Sequence, residues 1–270
     1  MDVSARGENR LAGQSMLERA FSLLAVFGPT DRSLSLTSMS ARSGLPKRSA
    51  LRIARQLTDC GALERLGDGD FVIGLRLLEI ASLAPRGHRL RETALPYMED
   101  LHLATGQHVL LAVRDGAEAV LVERLSALGA ASVLYRVGGR MPLHATAVGL
   151  CLLAGAPPEV QGRALAGRNL TVRQEAVCEE EHGASSGTRL RATLAAVRRD
   201  GVAVFSRSDP TPVTSVAAPI LGRGGEVIAA LSVVTPTVDA RPAAALRPAV
   251  IAACRAISRA MRRAEPHSSH

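Results

Sequence analysis

The chain contains no tryptophan and few aromatic rings: its 270 residues include four phenylalanines and two tyrosines. Because 47% of the residues are hydrophobic, the interior must be built mainly from Ala, Val, Leu and Ile. Lysine is nearly absent too, since Lys47 is the single lysine among 33 basic residues. We interpret this use of arginine as a compositional bias, which weakens any argument from arginine counts alone.

Long apolar runs and paired cysteines are also missing. No apolar run reaches the ~18 residues of a membrane-spanning helix, and the N-terminus carries no apolar segment of the signal-peptide kind. We therefore expect no membrane contact. The four cysteines show no CxxC spacing, which predicts reduced thiols in a cytoplasmic protein. They are Cys60, Cys151, Cys178 and Cys254.

Positive charge is present in excess, with a net charge of +8 that favours a polyanionic partner. Residues 44–57, GLPKRSALRIARQL, hold four cations and no acid. In a helix, one side of this stretch is apolar and the opposite side is basic. The apolar stripe consists of Ala50, Ile53, Ala54 and Leu57, and the basic side of Arg48, Arg52 and Arg55. The arginines face either water or a charged partner.

The first 84 residues have the pattern of three helices, a hairpin and a further helix. Ser15 and Glu18 form a capping box at the start of the first helix, which ends at Gly28-Pro29. Thr37 is predicted to cap the second helix, and Pro46 suits the first turn of the third. A turn at residues 67–69 predicts a hairpin, and residues 75–84 a helix. This is the winged helix-turn-helix arrangement. The first helix carries Leu17, Ala20, Phe21, Leu24 and Phe27 on one face.

Beyond Pro85-Arg86-Gly87 the pattern changes to strands mixed with helices, which indicates an α+β fold with a mainly antiparallel sheet. A hairpin turning at Asp115-Gly116 and a strand at residues 132–137 are expected. The predicted helices span residues 90–105, 145–155, 188–200 and about 241–263, and further strands lie near 202–206, 213–221 and 227–234. We divide the chain into a disordered tail (1–12), a winged helix-turn-helix domain (13–74), a linker helix (75–89), a second domain (90–264) and a second tail (265–270).

Six segments form an ordered set along the chain: Leu34–Thr37, Gly44–Lys47 with Arg52, Gly74–Glu79, Gly138–Gly149, Ala217–Ile220 and Ala229–Val233. In this order they resemble the motifs of the IclR-type transcriptional regulators, and the resemblance covers roughly residues 12–263. It implies a GAF-like C-terminal sensor domain, a homodimer that can pair into a tetramer, an operator in double-stranded DNA, and a small-molecule effector, often a carboxylate.

The basic stretch is the third helix of the predicted helix-turn-helix, the element that enters the major groove of DNA. Arginines there can bond guanine edges or phosphates, so we prefer DNA binding to a solvated face. Arg65 is the better contact from the wing, because Asp68 and Asp70 would be repelled by phosphate. The predicted DNA-binding residues are Thr37, Lys47, Arg48, Ser49, Leu51, Arg52, Arg55 and Arg65.

Residues 138–149, GGRMPLHATAVG, are either a loop leading into a packed helix or one wall of a small-molecule pocket. By the family resemblance we favour the pocket. Two segments depart from the family pattern: Leu150 replaces a usual lysine, and residues 207–213 have one acid and a proline in place of glycine. Arg207 is a counter-charge for a carboxylate or a surface arginine. The predicted effector-binding residues are Met141, His144, Thr146, Ala147, Phe205, Asp209, Val213, Ser215, Ser232 and Val234.

Motifs for catalysis, metals and cofactors are missing: there is no GxSxG elbow, P-loop, HExxH or dinucleotide fingerprint. Cys178 and His182 are spaced to share a metal, but no second pair completes a zinc site. We therefore expect a non-enzyme without cofactor or metal. The predicted function is a ligand-responsive DNA-binding regulator that represses a catabolic or neighbouring operon, with an activator or a sensor with vestigial DNA binding as alternatives. The Phe21–Phe27 side and the 75–83 helix are plausible dimer surfaces.

Overall fold

The structure, a computed structural model, describes residues 14–28, 30–84, 87–127, 135–166, 186–208, 212–237 and 243–264. The chain divides into two compact units, Met1–Ala84 and Pro85–His270, which we treat one at a time. Among the described helices, none combines the length and the apolar character needed to cross a membrane.

The first unit is a winged helix-turn-helix. Its hairpin is antiparallel, with Glu64 opposite Val72, and Leu34 adds a bridge to Phe71 that ties the segment before the second helix to the wing. Buried side chains from all three helices and the hairpin form one core. The elements are α1 (Met16–Leu24), α2 (Leu36–Ser43), α3 (Lys47–Asp59), β1 (Leu63–Arg65), β2 (Phe71–Ile73) and α4 (Leu75–Ser82).

Two serines begin the first two helices. The predicted capping box is confirmed, because Ser15 Oγ accepts from the Glu18 N–H and the Glu18 carboxylate accepts from the Ser15 N–H. The prediction that Thr37 caps α2 was wrong: Ser35 is extended and its Oγ accepts from the Ser38 N–H at 3.2 Å. Thr37 lies inside the first turn, with its side chain exposed.

The predicted apolar face of α1 is only partly buried. Phe27 lies in the core, whereas Leu17 and Phe21 are 72% and 70% exposed. Leu23, which does not belong to that face, is completely buried. The short helix therefore presents a second apolar side to its surroundings.

The second unit is built on a six-stranded antiparallel sheet in the order β5-β4-β3-β8-β7-β6. The strands are β3 (His108–Asp115), β4 (Glu118–Leu125), β5 (Arg140–Pro142), β6 (Ala203–Arg207), β7 (Val213–Leu221) and β8 (Val227–Pro236). The helices are α5 (His88–Thr105), α6 (Ala147–Ala154), α7 (Pro158–Ala166), α8 (Ser186–Asp200) and α9 (Ala243–Ala264), with a 3₁₀ turn at Leu143–Ala145.

Helices cover both faces of this sheet. Alternate strand residues point to opposite sides, so the longer strands contribute to two cores. One core lies between the sheet and the layer of α6 and α8, and the other between the sheet and the layer of α5 and α9. The predicted α+β class with an antiparallel sheet is confirmed.

The region before α6 differs from the sequence prediction. Residues 132–134 of the predicted strand lie outside the described residues, and residues 135–137 are not in a strand. The chain instead turns at Gly138, where φ is 77°, and β5 then pairs with β4. Helix α7 was missed altogether, because its mixed sequence, PEVQGRALA, buries only Val160.

Candidate functional site

Helix α3 presents the amphipathic pattern that its sequence predicts. Its apolar stripe is buried in the core of the first unit, with Ala50, Ile53 and Ala54 fully inaccessible. Burying this stripe fixes the opposite side of the helix toward the exterior. Exposed on that side are Lys47, Arg48, Arg52, Arg55 and Gln56, and next to them lie the half-buried Ser49 and Leu51.

The turn before α3 is held by backbone geometry and by small polar side chains. Gly44 ends α2 in the left-handed region, with φ at 72°, a conformation that glycine adopts without strain. Ser40 donates from Oγ to the Leu45 carbonyl at 2.7 Å, and the Leu45 side chain is buried. Pro46 occupies the N-cap position rather than the first turn. The entry angle of α3 is thereby fixed.

An arginine shortly before α3, Arg42, is bound within the fold. Arg42 donates to the carboxylate of Asp31, with Nη2 and Oδ1 3.2 Å apart, and to the Val26 carbonyl. The hydrogen bond from Arg42 holds the pKa of Asp31 below its usual range, and the Gly28 N–H adds to the effect. In contrast, the four cations of α3 form no ion pair within the described part of the chain.

Three charged side chains of the wing, those of Arg65, Asp68 and Asp70, have different surroundings. Arg65 donates from Nε to the Gly69 carbonyl at 3.4 Å, and its guanidinium lies 5.8 Å from the centre of the Phe71 ring. Asp70 accepts from Ser33 Oγ at 3.1 Å, so one of its carboxylate oxygens is held by a hydrogen bond within the fold. Asp68 accepts from the Asp70 N–H at the turn. Arg65 stays exposed.

The second unit contains a cavity of about 480 Å³, its open mouth included. The enclosed part of the cavity is narrow, about 40 Å³. Its mainly apolar wall with a few polar groups is typical of sites for small molecules. The lining residues are Leu110, Tyr135, Met141, Ala145, Thr146, Ala147, Val148, Phe205, Arg207, Val213, Ser215, Ser232 and Val234.

Eight of the ten predicted pocket residues line this cavity: Met141, Thr146, Ala147, Phe205, Val213, Ser215, Ser232 and Val234. His144 does not line it. The 3₁₀ turn puts Ala145 into the wall instead, while His144 is half-buried and burial lowers its pKa. Asp209 lies outside the described residues.

Four wall residues escaped the sequence prediction: Leu110, Tyr135, Ala145 and Val148. Leu110 was detectable, because β7 and β8 already supply the wall and Leu110 is opposite Ser232 in the adjoining strand. Val148 directly follows a predicted residue. Tyr135 gave no such signal, since it belongs to no strand or helix.

The start of α6 forms one side of the cavity. Thr146 caps the helix, with Oγ1 accepting from the Gly149 N–H at 3.0 Å and donating to the Pro142 carbonyl at 3.2 Å. Its hydroxyl is therefore occupied. The N–H groups of Ala147 and Val148 belong to the first helical turn and have no acceptor in the preceding turn of the helix. They provide weak anion-binding capacity at the wall.

Among the described residues, neither the buried cysteines nor the possible metal ligands form a reactive or metal-binding site. Burial raises the pKa of Cys151 and raises that of Cys254 to about 12, so both thiols stay protonated and unreactive. Within the ranges that the structure describes, His, Cys, Asp and Glu form no cluster of three suited to a metal ion. Cys178 and His182 lie outside those ranges.

Together, a winged helix with an uncompensated basic recognition helix and a separate domain with a small-molecule cavity define a DNA-binding protein with a sensor domain. Residues 16–67 match the IclR helix-turn-helix domain, and residues 84–259 match the C-terminal domain of bacterial transcriptional regulators of the IclR type. The chain belongs to the IclR family of transcriptional regulators, as its motifs predicted.

Individual relatives extend along most of the chain. The HTH-type transcriptional regulator XynR of Escherichia coli (strain K12) is 30% identical over 248 residues, which cover 91% of this chain and 96% of XynR. The glycerol operon regulatory protein of Streptomyces coelicolor is 27% identical, with coverage of 92% and 94%. The crystal structure of an IclR homolog from Microbacterium hydrocarbonoxydans, complexed with 4-hydroxybenzoate, is 33% identical with a TM-score of 0.80, and covers 93% of this chain and 100% of that one.

Proposed function

We propose that this protein is a transcriptional repressor of a catabolic or neighbouring operon, acting in the cytoplasm. It binds a (pseudo)palindromic operator as a dimer or tetramer, and a small carboxylate modulates its affinity. The observation that carries the proposal is the exposed basic side of α3, opposite a fully buried apolar stripe. Exposed arginines without a carboxylate partner suit a polyanion.

The side chains of α3 contact different parts of the DNA in this proposal. Arg48 and Arg52, one turn apart, read guanine edges or bind phosphates. Arg55 contacts the phosphate backbone further along the groove. Leu51 lies between them and offers an apolar contact to a thymine methyl group. Phosphate contacts at the margins come from Lys47, Ser49, Thr37 at the start of α2, and Arg65 of the wing.

Two observations support the proposed dimer. One helix-turn-helix unit reads one half-site, and proteins of this type bind two half-sites about 34 Å apart, or a multiple of that, as dimers. The first unit also exposes large apolar side chains on α1 and α4, which a monomer in water rarely leaves uncovered. A second copy of the chain would cover them. They are Leu17, Phe21, Leu75, Leu78, Ile80 and Leu83.

The effector enters the cavity of the second unit. The related IclR homolog binds 4-hydroxybenzoate, and the mainly apolar wall here, which includes Arg207 and two serines, suits a small molecule that is apolar in the middle and polar at its ends. A ligand that binds one dimer geometry better than another changes DNA affinity through that difference. A coupling of about 1–3 kcal/mol, 5- to 150-fold in affinity, is enough for regulation.

The experiment that tests the proposal is selection of genomic DNA fragments by the purified full-length protein, followed by transcription in vitro from a selected promoter. A repressor reduces transcript in proportion to operator occupancy. An increase in transcript would make the protein an activator. Failure to select any fragment over random DNA would leave a metabolite sensor with vestigial DNA binding as the better account.

A further inference from the structure

The cavity of the second unit has one charged side chain among its described lining residues, that of Arg207. Arg207 is the last residue of β6 and pairs with Val213 of β7. Because residues i and i+2 of a strand share a face, its side chain lies on the same face of the sheet as Phe205. Arg207 thus puts a guanidinium at one end of a largely apolar wall.

The guanidinium of Arg207 is not fully paired. Its Nε is buried, and within the described part of the chain it has no hydrogen-bond partner. A buried donor without an acceptor costs free energy, and a guanidinium cannot escape that cost by losing its proton. An anion entering the cavity would supply the acceptor and the opposite charge together.

Tyr135 lines the same cavity as Arg207. Burial raises the pKa of its phenol, and the positive charge of Arg207 opposes this in part, so the two groups are within electrostatic reach. The raised pKa keeps the phenol protonated and able to donate. The Tyr135 carbonyl accepts from Arg124 Nη1 at 3.1 Å, which anchors the residue to β4.

The polar groups at the other end are hydroxyls. Ser232 stands opposite Ala217 in β7, four residues along that strand from Val213, or about 13 Å at the usual rise. Ser215, opposite Phe205 and Val234, lies midway. Along the sheet, the wall therefore runs from a cation, through apolar side chains and one serine, to a second serine.

We propose that Arg207 and Tyr135 bind the carboxylate of the effector, and that the effector is a small planar monocarboxylate. Arg207 donates Nε–H to one carboxylate oxygen, and the Tyr135 hydroxyl donates to the carboxylate as well. The apolar body of the ligand lies against Phe205 and Val234, and a polar group at its far end meets Ser215 or Ser232. The inference rests on the proposed function, because it takes this cavity as the effector site.

A second anchor for an anion exists in the same cavity, namely the first-turn N–H groups of α6 at Ala147 and Val148. If the carboxylate bound there, Arg207 would be a bystander. The two positions predict different results for a neutral replacement of Arg207. Only the Arg207 site requires the side chain to distinguish a carboxylate from its amide.

The test is calorimetric titration of the full-length protein with two matched pairs of probes: benzoate and benzamide, and 4-hydroxybenzoate and 4-hydroxybenzamide. The wild type should prefer the acid of each pair. Arg207→Gln should weaken binding of the acids by at least about 10-fold, the size of a charge-assisted hydrogen bond. Arg207→Gln should change the affinity of the amides by less than about 2-fold, which is well below the effect of losing one charge-assisted hydrogen bond.

Two variants accompany this measurement. Tyr135→Phe keeps the ring and removes the hydroxyl, and should weaken the acids by about 3- to 10-fold, as loss of one hydrogen bond does; it tests the site even if Arg207→Gln does not fold. Arg191→Gln removes an exposed arginine of α8 that does not line the cavity, and should leave all affinities unchanged.

Three results would overturn the inference: binding of acids and amides with equal affinity by the wild type, binding of no probe, or acid affinity unchanged in both Arg207→Gln and Tyr135→Phe. None of them bears on DNA binding, and the proposal of a DNA-binding repressor fails by a separate result, the absence of sequence-selective DNA binding. The two failures are therefore distinguishable with one protein preparation.

Discussion

Arg42 and Asp31 connect the C-terminal end of α2 with the loop that precedes this helix: the Arg42 guanidinium donates to the Asp31 carboxylate. The same guanidinium also donates to the Val26 carbonyl. Arg42 lies two residues before the basic stretch at 44–57, yet its guanidinium is bound within the fold. Neighbouring arginines therefore have different roles, and variants can separate the two.

Acid should weaken the first unit through Asp31. Its pKa is lowered in the folded state, so the carboxylate contributes stability above the ordinary aspartate pKa of about 4, and this contribution is lost as pH falls through the folded value. The melting-temperature difference between wild type and Asp31→Asn should be largest near neutral pH and shrink below about pH 4. Asp68→Asn, at the wing tip, serves as the control. A difference independent of pH would contradict the assignment.

Substitutions of Arg52 and of Arg55 should change DNA binding in different ways. If Arg52 reads a base, Arg52→Ala costs about 1–3 kcal/mol of specific binding and flattens discrimination at one position of each half-site. Loss of the phosphate contact in Arg55→Ala weakens all sequences alike and lowers the salt slope by about 1. Binding to operators with single-base changes measures both effects.

The matched control for these variants is Arg199→Ala, which removes a 74% exposed arginine paired with Asp200 in the second unit. It changes the net charge equally and should leave both the affinity and the salt slope unchanged. Unaltered binding in both α3 variants would refute the recognition-helix assignment.

Substitution of Leu78 tests whether the exposed apolar side of α4 forms the dimer interface. Its side chain is 67% exposed, so Leu78→Glu removes no core contact and should leave the unfolding midpoint nearly unchanged. If a second copy covers it, burial of a carboxylate in that interface is unfavourable, and sedimentation should show dissociation at concentrations where the wild type is dimeric. Leu103→Glu on α5, at 81% exposed, controls for a new charge on an exposed leucine.

Gly149 should be intolerant of a methyl group. A Cβ there would lie 2.4 Å from the Leu143 carbonyl oxygen and 2.5 Å from Thr146 Oγ1, so the start of α6 must shift. Gly149→Ala should destabilise the protein by about 1–3 kcal/mol in denaturant unfolding, as overpacking does. Gly162→Ala meets open space in α7 and should be neutral or stabilising by up to about 1 kcal/mol. Equal stability of the two variants would contradict the close approach.

Periodicity and capping chemistry predict the helices of the first unit well, because their signals are local. The stripe from Ala50 to Leu57 specifies how α3 is buried, and Ser15 with Glu18 specifies where α1 begins. The start of α2 was misplaced because Ser35 and Thr37 can both cap a helix, and the choice depends on backbone angles set by the bridge between Leu34 and Phe71. That bridge joins residues distant in sequence.

The cavity was predicted through family resemblance rather than through residue pattern. The resemblance predicted Phe205, Ser215 and Ser232. These residues lie on three neighbouring strands, β6, β7 and β8 respectively. It missed Tyr135, because that residue reaches the wall from a segment without regular structure and is held there by Arg124. It included His144, since a sequence match does not specify which residue of a 3₁₀ turn faces inward.

The most direct test of the central claim is fluorescence anisotropy of the full-length protein on DNA from upstream of its own gene and on a scrambled copy, across a salt series. Our account predicts tight, sequence-selective binding whose affinity falls steeply with salt as phosphate counterions are released, and whose selectivity is lost in Arg52→Ala. Equally weak binding to both DNAs, repeated on fragments selected from the genome, would contradict it.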